Sequence, residues 1–373
     1  MLRRHIFRFL ALAAPVLVLG CGGEKIHEAI HQPLLVTPDG AQTVLLADMA
    51  NVRGLRTFQE MEAFIKNPED ADGFEGVLPF DYGEFVKHYQ LDLFQNIDRA
   101  VIGVYGNGWI RVLVGQFQVE HLQEIARAER EVEAESSRGD DETGVYPILQ
   151  ERTRGPGEFA QLAEAMSLFL GPNAEALRTV LSQGLSDRGS IYHAWPNDHI
   201  WITSNSQELL YLALDLWEGV GADNLLDDPS FRRLYESRPH APLLWVGVPE
   251  TAPVPSPFTT LEAEIDVRDF VRPTVILGFK SPDEANANYP SIDNLVKEMA
   301  AMIQAVASAA SATPNDPMAR SLQHLHSNEE LARAAETFRA RAVASASIIE
   351  VEIKVPIDDF KTLFASVANE MMR

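Results

Sequence analysis

Apolar residues in this chain fall into short β-rich runs divided by turn chemistry, alternating with longer stretches that repeat at helical spacing. The clearest run is Ala-Val-Ile-Gly-Val-Tyr-Gly-Asn-Gly-Trp-Ile-Arg-Val-Leu-Val-Gly, residues 100–115. Asn107-Gly108 between two such runs predicts a hairpin, with Gly106 opposite Trp109 and Val104 opposite Arg111. Both faces of that ribbon are largely apolar, so it belongs in the middle of a sheet covered on both sides. A second ribbon is predicted over 190–204 around Pro196-Asn197-Asp198, and further strands near 43–47, 243–248, 261–268, 271–279 and 347–355.

Helical patterning covers 57–66, where Thr57 and Glu60 form a capping box, and then 119–135. It returns at 156–184, broken by Gly171-Pro172, at 207–217, and from Pro229, where Asp227-Asp228 supply acids at the start. An Ala-rich helix is expected over 291–312, another over 328–343, and a last one from Asp358. Residues 136–144 are polar and read as disordered. The order of elements gives an α+β fold of two tandem antiparallel-sheet and helix modules, 41–225 and 226–373, each in ferredoxin-like order with helical insertions.

Ahead of these modules, Arg3 and Arg4 precede an apolar run from Ile6 to Leu19, and Val18-Leu19-Gly20 meets Cys21, the single cysteine. The run is too short to span a bilayer and has the layout of a secretory signal, residues 1–20. The pattern resembles the lipobox of bacterial lipoproteins, which implies a diacylglycerol on Cys21 and an anchor in the lipid bilayer. Residues 21–40 then read as a lipidated tether. Gly22, rather than aspartate, follows the cysteine, and in that family this implies the outer membrane, facing the periplasm. With Cys21 committed to lipid, no disulfide and no thiol chemistry remain.

Loss of the signal leaves 28 Lys+Arg against 54 Asp+Glu, a formal charge of −26. That balance excludes nucleic acid as a partner, because phosphate binding is driven by cations. It also opposes a second, electrostatic contact with anionic headgroups.

Two constellations could carry chemistry. His27-Glu28-Ala29-Ile30-His31 matches the H-E-x-x-H zinc pattern, in which two histidines share a helix face and the glutamate activates water. Here it lies six residues beyond Cys21, and Pro33 stops any helix just after the second histidine. A tether is the simpler reading of the same residues, and the alternative is a metal-dependent hydrolase using His27, Glu28 and His31 or the His193/His199 pair.

The second constellation is the 190–204 ribbon. With a loop at 196–198, Trp195 pairs His199, His193 pairs Trp201 and Ile191 pairs Thr203, all on one face. Such a face could grip a planar or cationic ligand or a partner's apolar patch. Alternatively, helices from 156–184 cover it and nearby acids satisfy the histidines. No phosphate-binding Gly loop, G-x-S-x-G elbow or S-x-x-K occurs, so no catalytic residue is assigned and no cofactor is expected.

The "AVIGV…VLVGQF" and "IYHAW…IWIT" ribbons, each leading into a helix, resemble those of a loose group of uncharacterised bacterial envelope lipoproteins. That resemblance implies a fold and a compartment and transfers no catalytic residue. The expectation is a lipid-anchored binding or scaffold protein whose partner is an envelope protein, a peptide or a small apolar ligand. A purely structural envelope spacer is a further alternative.

Overall fold

The computed structural model describes residues 28–66, 82–129, 132–138, 146–153, 189–221, 223–236, 242–249, 257–268, 270–312, 333, 337, 339–356 and 358–359. The signal, Cys21, His27 and the expected helices over 156–184 lie outside the described residues.

Strand β1 (Thr43–Asp48) leads through α1 (Arg56–Lys66) and α2 (Tyr82–Tyr89) to a ribbon of β2 (Ile97–Tyr105) and β3 (Gly108–Gly115). Helix α3 (Val119–Glu129) precedes β4 (Val132–Arg138) and β5 (Tyr146–Thr153). Strands β6 (Gly189–Asn197) and β7 (Ile200–Ser204) and helix α4 (Gln207–Glu218) finish the first half. The second half comprises α5 (Pro229–Glu236), β8 (Leu244–Val248), β9 (Thr260–Asp266), β10 (Arg272–Gly278), α6 (Pro282–Ala312), β11 (Arg339–Ser345) and β12 (Ile348–Lys354).

The twelve strands among the described residues join one sheet in the order β11-β12-β10-β9-β8-β1-β2-β3-β7-β6-β5-β4, and every neighbouring pair is antiparallel. The α+β class is borne out, and the sheet is broader than either expected module. Two series within it, β1-β2-β3-β7-β6 and β8-β9-β10-β12-β11, follow the same plan. They meet where β1 pairs β8, with Leu45 opposite Val246. In each, a helix connects two strands of like direction that flank a third: β3-α3-β6 around β7, and β10-α6-β11 around β12. This is the split β-α-β arrangement of ferredoxin-like units. The β4–β5 hairpin is an insertion that widens the first half.

Side-chain alternation sends every second residue to each face of the sheet. On one face, Val44, Val101, Ile110, Val112, Ala194 and Ile202 pack under Leu209, Leu210, Ala213 and Leu214 of α4 and Phe231 and Leu234 of α5. Helix α4 is held at its start by the Ser206 hydroxyl, which accepts from Leu209 N–H, and at its end by Gly219 in the left-handed region at φ 73°. On the opposite face, Leu122 and Ala126 of α3 meet Leu113, Leu149 and Trp195. In the second half of that face, Ala285 and Val296 of α6 meet Leu277, Ala342 and Ile349.

Several elements differ from the sequence expectation, each for a local reason. The helix expected over 119–135 stops at Glu129, and Val132–Arg138 is a strand whose acids alternate with small and apolar residues at a period of two. The helix expected over 328–343 cannot extend past 338, because Arg339–Ser345 pairs along β12. Its alanines and arginines favour a helix intrinsically, and pairing overrides that preference. Helix α6 begins at Pro282 and runs through Pro290, ahead of the expected start.

The tether reading also changes from Glu28 on. Two short 3-10 turns, Glu28–Ile30 and Pro33–Val36, bury Ala29, Leu34 and Val36 against the α4 face of the sheet. None of these turns has a helix or strand period to reveal it.

Candidate functional site

Both ribbons that carry the candidate residues slide by two positions from the expected register. In the first, Tyr105 pairs Gly108 and Val104 pairs Trp109, which leaves Gly106-Asn107 as the loop. The cause is tertiary. Asn205 Oδ1 accepts from Trp109 N–H at 2.7 Å, and a Cβ on Gly108 would meet that oxygen at 2.5 Å. In the second, His193 pairs Thr203, Ala194 pairs Ile202 and Asn197 pairs Ile200, with an irregularity between Ala194 and Asn197. Pro196, which cannot donate a ladder hydrogen bond, sits in that irregularity. The Asn197 side chain accepts from His199 N–H at 2.8 Å and Ile200 N–H at 3.0 Å, drawing the turn tight around Asp198-His199.

A slide of two keeps the faces. His193, Trp195 and Trp201 therefore do come together, and His199 does not join them. The His193 and Trp195 rings stack at 5.9 Å and 14°, Trp195 and Trp201 at 5.6 Å and 24°, and His193 and Trp201 lie 5.9 Å apart at 38°. His199 is exposed on the turn, its ring Nδ1 2.9 Å from the carbonyl of Gly115. It clips the end of β3 to the second ribbon, together with Gly115 N–H to His199 O and Phe117 N–H to Asp198 O.

Two of the three rings are buried, His193 and Trp195 each 3% exposed, and Trp201 is half-buried. Part of the cover is α3 with Leu113, Phe117 and Leu149, and the Phe117 ring meets Trp201 edge-on at 6.0 Å. Three further residues complete the surroundings. Glu151 Oε2 lies 3.1 Å from His193 Nε2, so an acid supplied by the inserted hairpin holds the imidazole. Thr203, fully buried, is the cross-strand neighbour of both His193 and Arg111. The Arg111 guanidinium carbon lies 5.7 Å from the Trp201 ring centroid.

Arg111 and Glu151 were not expected on this face from sequence, whereas Thr203 was, there opposite Ile191 rather than His193. Arg111 carries a readable signal, a lone cation in the otherwise apolar strand Gly-Trp-Ile-Arg-Val-Leu-Val-Gly. Glu151 joins the site only through strand pairing.

Of the other constellation, Glu28 and His31 are described and His27 is not. Glu28 opens a three-residue 3-10 turn, Ala29 beside it is fully buried, and the His31 carbonyl accepts from Arg99 at 3.2 Å. Among the described residues, no group of three or more His, Cys, Asp or Glu side chains is placed to hold a metal ion, and no helix is long and apolar enough to cross a membrane.

No protein-family model and no curated protein matches the chain. Among solved structures, it is similar to crystal form IV of TP0453 at a TM-score of 0.40 and 8% identity, over 91% of this chain and 99% of that one. Crystal form III of the same protein gives 0.39 at 8% identity over 89% and 97% of the two chains, and crystal form I gives 0.38 at 9% over 90% and 97%.

Proposed function

We propose that this chain is a lipid-anchored extracytoplasmic protein that binds a macromolecular partner and performs no catalysis of its own. The anchor reading rests on Arg3, Arg4, the apolar run and Cys21. The binding reading rests on one asymmetry of the sheet. Among the described residues, helices lie on three of its four quarters: α4 with α5, α3, and α6. The remaining quarter, the α4 face of the second half, presents half-buried Glu262, Glu264, Ile276, Glu350 and Glu352 beside exposed Arg339, Arg341 and Val343.

Alternation along β9 and β12 puts carboxylates on this face where the same strands put Leu261, Ala263, Ile349 and Val351 under α6 or its neighbours. Arg341 and Arg272 both reach Glu352, so charges of both signs are held flat against the sheet. A mixed-charge, regular surface with a few apolar positions suits a polar protein interface better than a small-molecule pocket.

In-cell photo-cross-linking tests this reading, with a reactive residue at Val343, 44% exposed, and a control at Val220, 57% exposed. A reproducible envelope protein captured from Val343 and not from Val220 supports it. Identical capture from both positions removes the case for this surface. The anchor is tested separately: Cys21→Ser should shift the protein out of the membrane fraction, and unchanged partition contradicts lipidation.

A further inference from the structure

We propose that β11 is a strand-addition site, on which an extended segment of the partner, with acidic and apolar residues in alternation, pairs antiparallel. The inference rests on the partner reading above and narrows it to one mode of binding. Strand β11 ends the described sheet on one side, and the register tells which of its backbone groups face outward. Phe279 N–H donates to Ser347 O at 2.8 Å, so odd-numbered residues of β12 bond toward β10 and even-numbered ones toward β11. Their partners are Arg339, Arg341, Val343 and Ser345, which leaves Ala340, Ala342 and Ala344 with amides pointing away from the sheet. Among the described residues, no group accepts from the N–H of these alanines, and the Tyr289 hydroxyl donates to Ala342 O at 3.2 Å. A carbonyl oxygen has two lone pairs, so that bond leaves room for a second donor.

Edge strands are normally blunted by proline, a bulge, shortness or charge. Strand β11 is seven residues long, contains no proline and pairs with β12 without a register shift. Its arginines are the deterrent, and they select the occupant. Arg339 stands opposite Lys354, two cations in one cross-strand pair, and like charges so placed repel. Arg341 stands opposite Glu352, which it bridges. A second copy of β11 would bring more arginines and no acid, whereas acids two residues apart on an added strand complement both rows. On the other face, Ala340, Ala342 and Ala344 share a cluster with Tyr289 and Ile292 of α6, which suits apolar residues at the alternate positions.

The probe is a fluorescently labelled peptide, Thr-Val-Glu-Val-Glu-Val-Thr with an amidated end, added to the full chain in detergent. Anisotropy should show saturable binding. N-methylation of the valines, whose amides would face β11, should abolish it, and N-methylation of the glutamates should not. Exchange of both glutamates for lysine should weaken it several-fold. Ala340→Pro removes one outward N–H and no bond to β12, a change that edge strands tolerate, and should weaken binding about threefold to tenfold. If that variant does not fold, Ala344→Pro makes the same change nearer the hairpin turn, and the methylated peptides leave the protein unaltered.

Cross-linking from Val343 separates this inference from the reading it rests on. Loss of capture in a folded Ala340→Pro variant supports strand addition. Undiminished capture by that variant overturns strand addition and leaves the partner surface standing. Capture from Val343 no greater than from Val220 removes the partner surface, and strand addition with it. Equal binding of the valine-methylated and unmethylated peptides also overturns the proposal. So does self-association of the chain that Ala340→Pro abolishes, which would give the edge to a second copy.

Discussion

A carboxylate out of water is costly unless something opposite it carries a proton or a charge, and Glu151 is 13% exposed with His193 as its partner. Removing one member of such a pair strands the other. Glu151→Ala should therefore cost about 2–3 kcal/mol of stability, read as a lower urea midpoint at unchanged slope. Asp39 behaves in the opposite sense. Burial lifts its carboxyl above the ordinary 3.8, and the neighbouring Asp223, Asp228 and Asp227 lift it further. The native state then keeps a proton that the unfolded chain has already released. The group's contribution is most favourable below 3.8 and declines as pH rises through the folded value. Asp39→Asn should raise the melting temperature by about 1 °C at pH 7, the scale of an exposed-site change, and by nothing at pH 3. An equal gain at both values would mean that charge is not the cause.

Between residues and the whole lies the ribbon, whose register is set by contacts the local sequence does not contain. Asn107-Gly108 announces a hairpin correctly, but a turn dipeptide alone cannot tell Gly106-Asn107 from Asn107-Gly108 as the loop. Asn205, nearly a hundred residues later, decides it through its 2.7 Å bond to Trp109 N–H and its approach to Gly108. Gly108→Ala should cost about 1–3 kcal/mol by overpacking, and Asn205→Ala about 1 kcal/mol through the lost hydrogen bond. Because the new methyl and the amide compete for one space, the double variant should cost less than the sum. Strict additivity in chemical denaturation would show that Asn205 does not set the register.

The same reasoning explains how the candidate site could be partly read. Alternation put His193, Trp195 and Trp201 on one face in either register, whereas His199 depended on the loop being 196–198. The Asn197 side chain shortened that loop, and His199 moved to the turn.

At the scale of the molecule, two similar halves were visible in the order of ribbons and helices, but their fusion was not. Nothing in 43–47 or 243–248 marks these strands as neighbours, since a buried strand reads the same whatever lies beside it. The boundary expected near 226 falls just ahead of a helix that packs on residues from both sides of it. Phe231 of α5 is fully buried, 6.1 Å from Trp245 of β8, within a cluster that also holds Val44, Val101, Ile202 and Leu210 of the first half. Strand β1 continues that connection, paired to β2 on one side and β8 on the other.

Two halves that share a core and an uninterrupted hydrogen-bond ladder should unfold together rather than in sequence. Phe231→Ala removes a ring from the shared cluster, at a cost of about 3–5 kcal/mol. It should lower the stability of both halves equally: hydrogen exchange at Val112 of β3 and at Ile276 of β10 should accelerate by the same factor. If the amide of Val112 responds and that of Ile276 does not, the halves are separately stable modules that touch, and the ladder between β1 and β8 is an interface rather than a core.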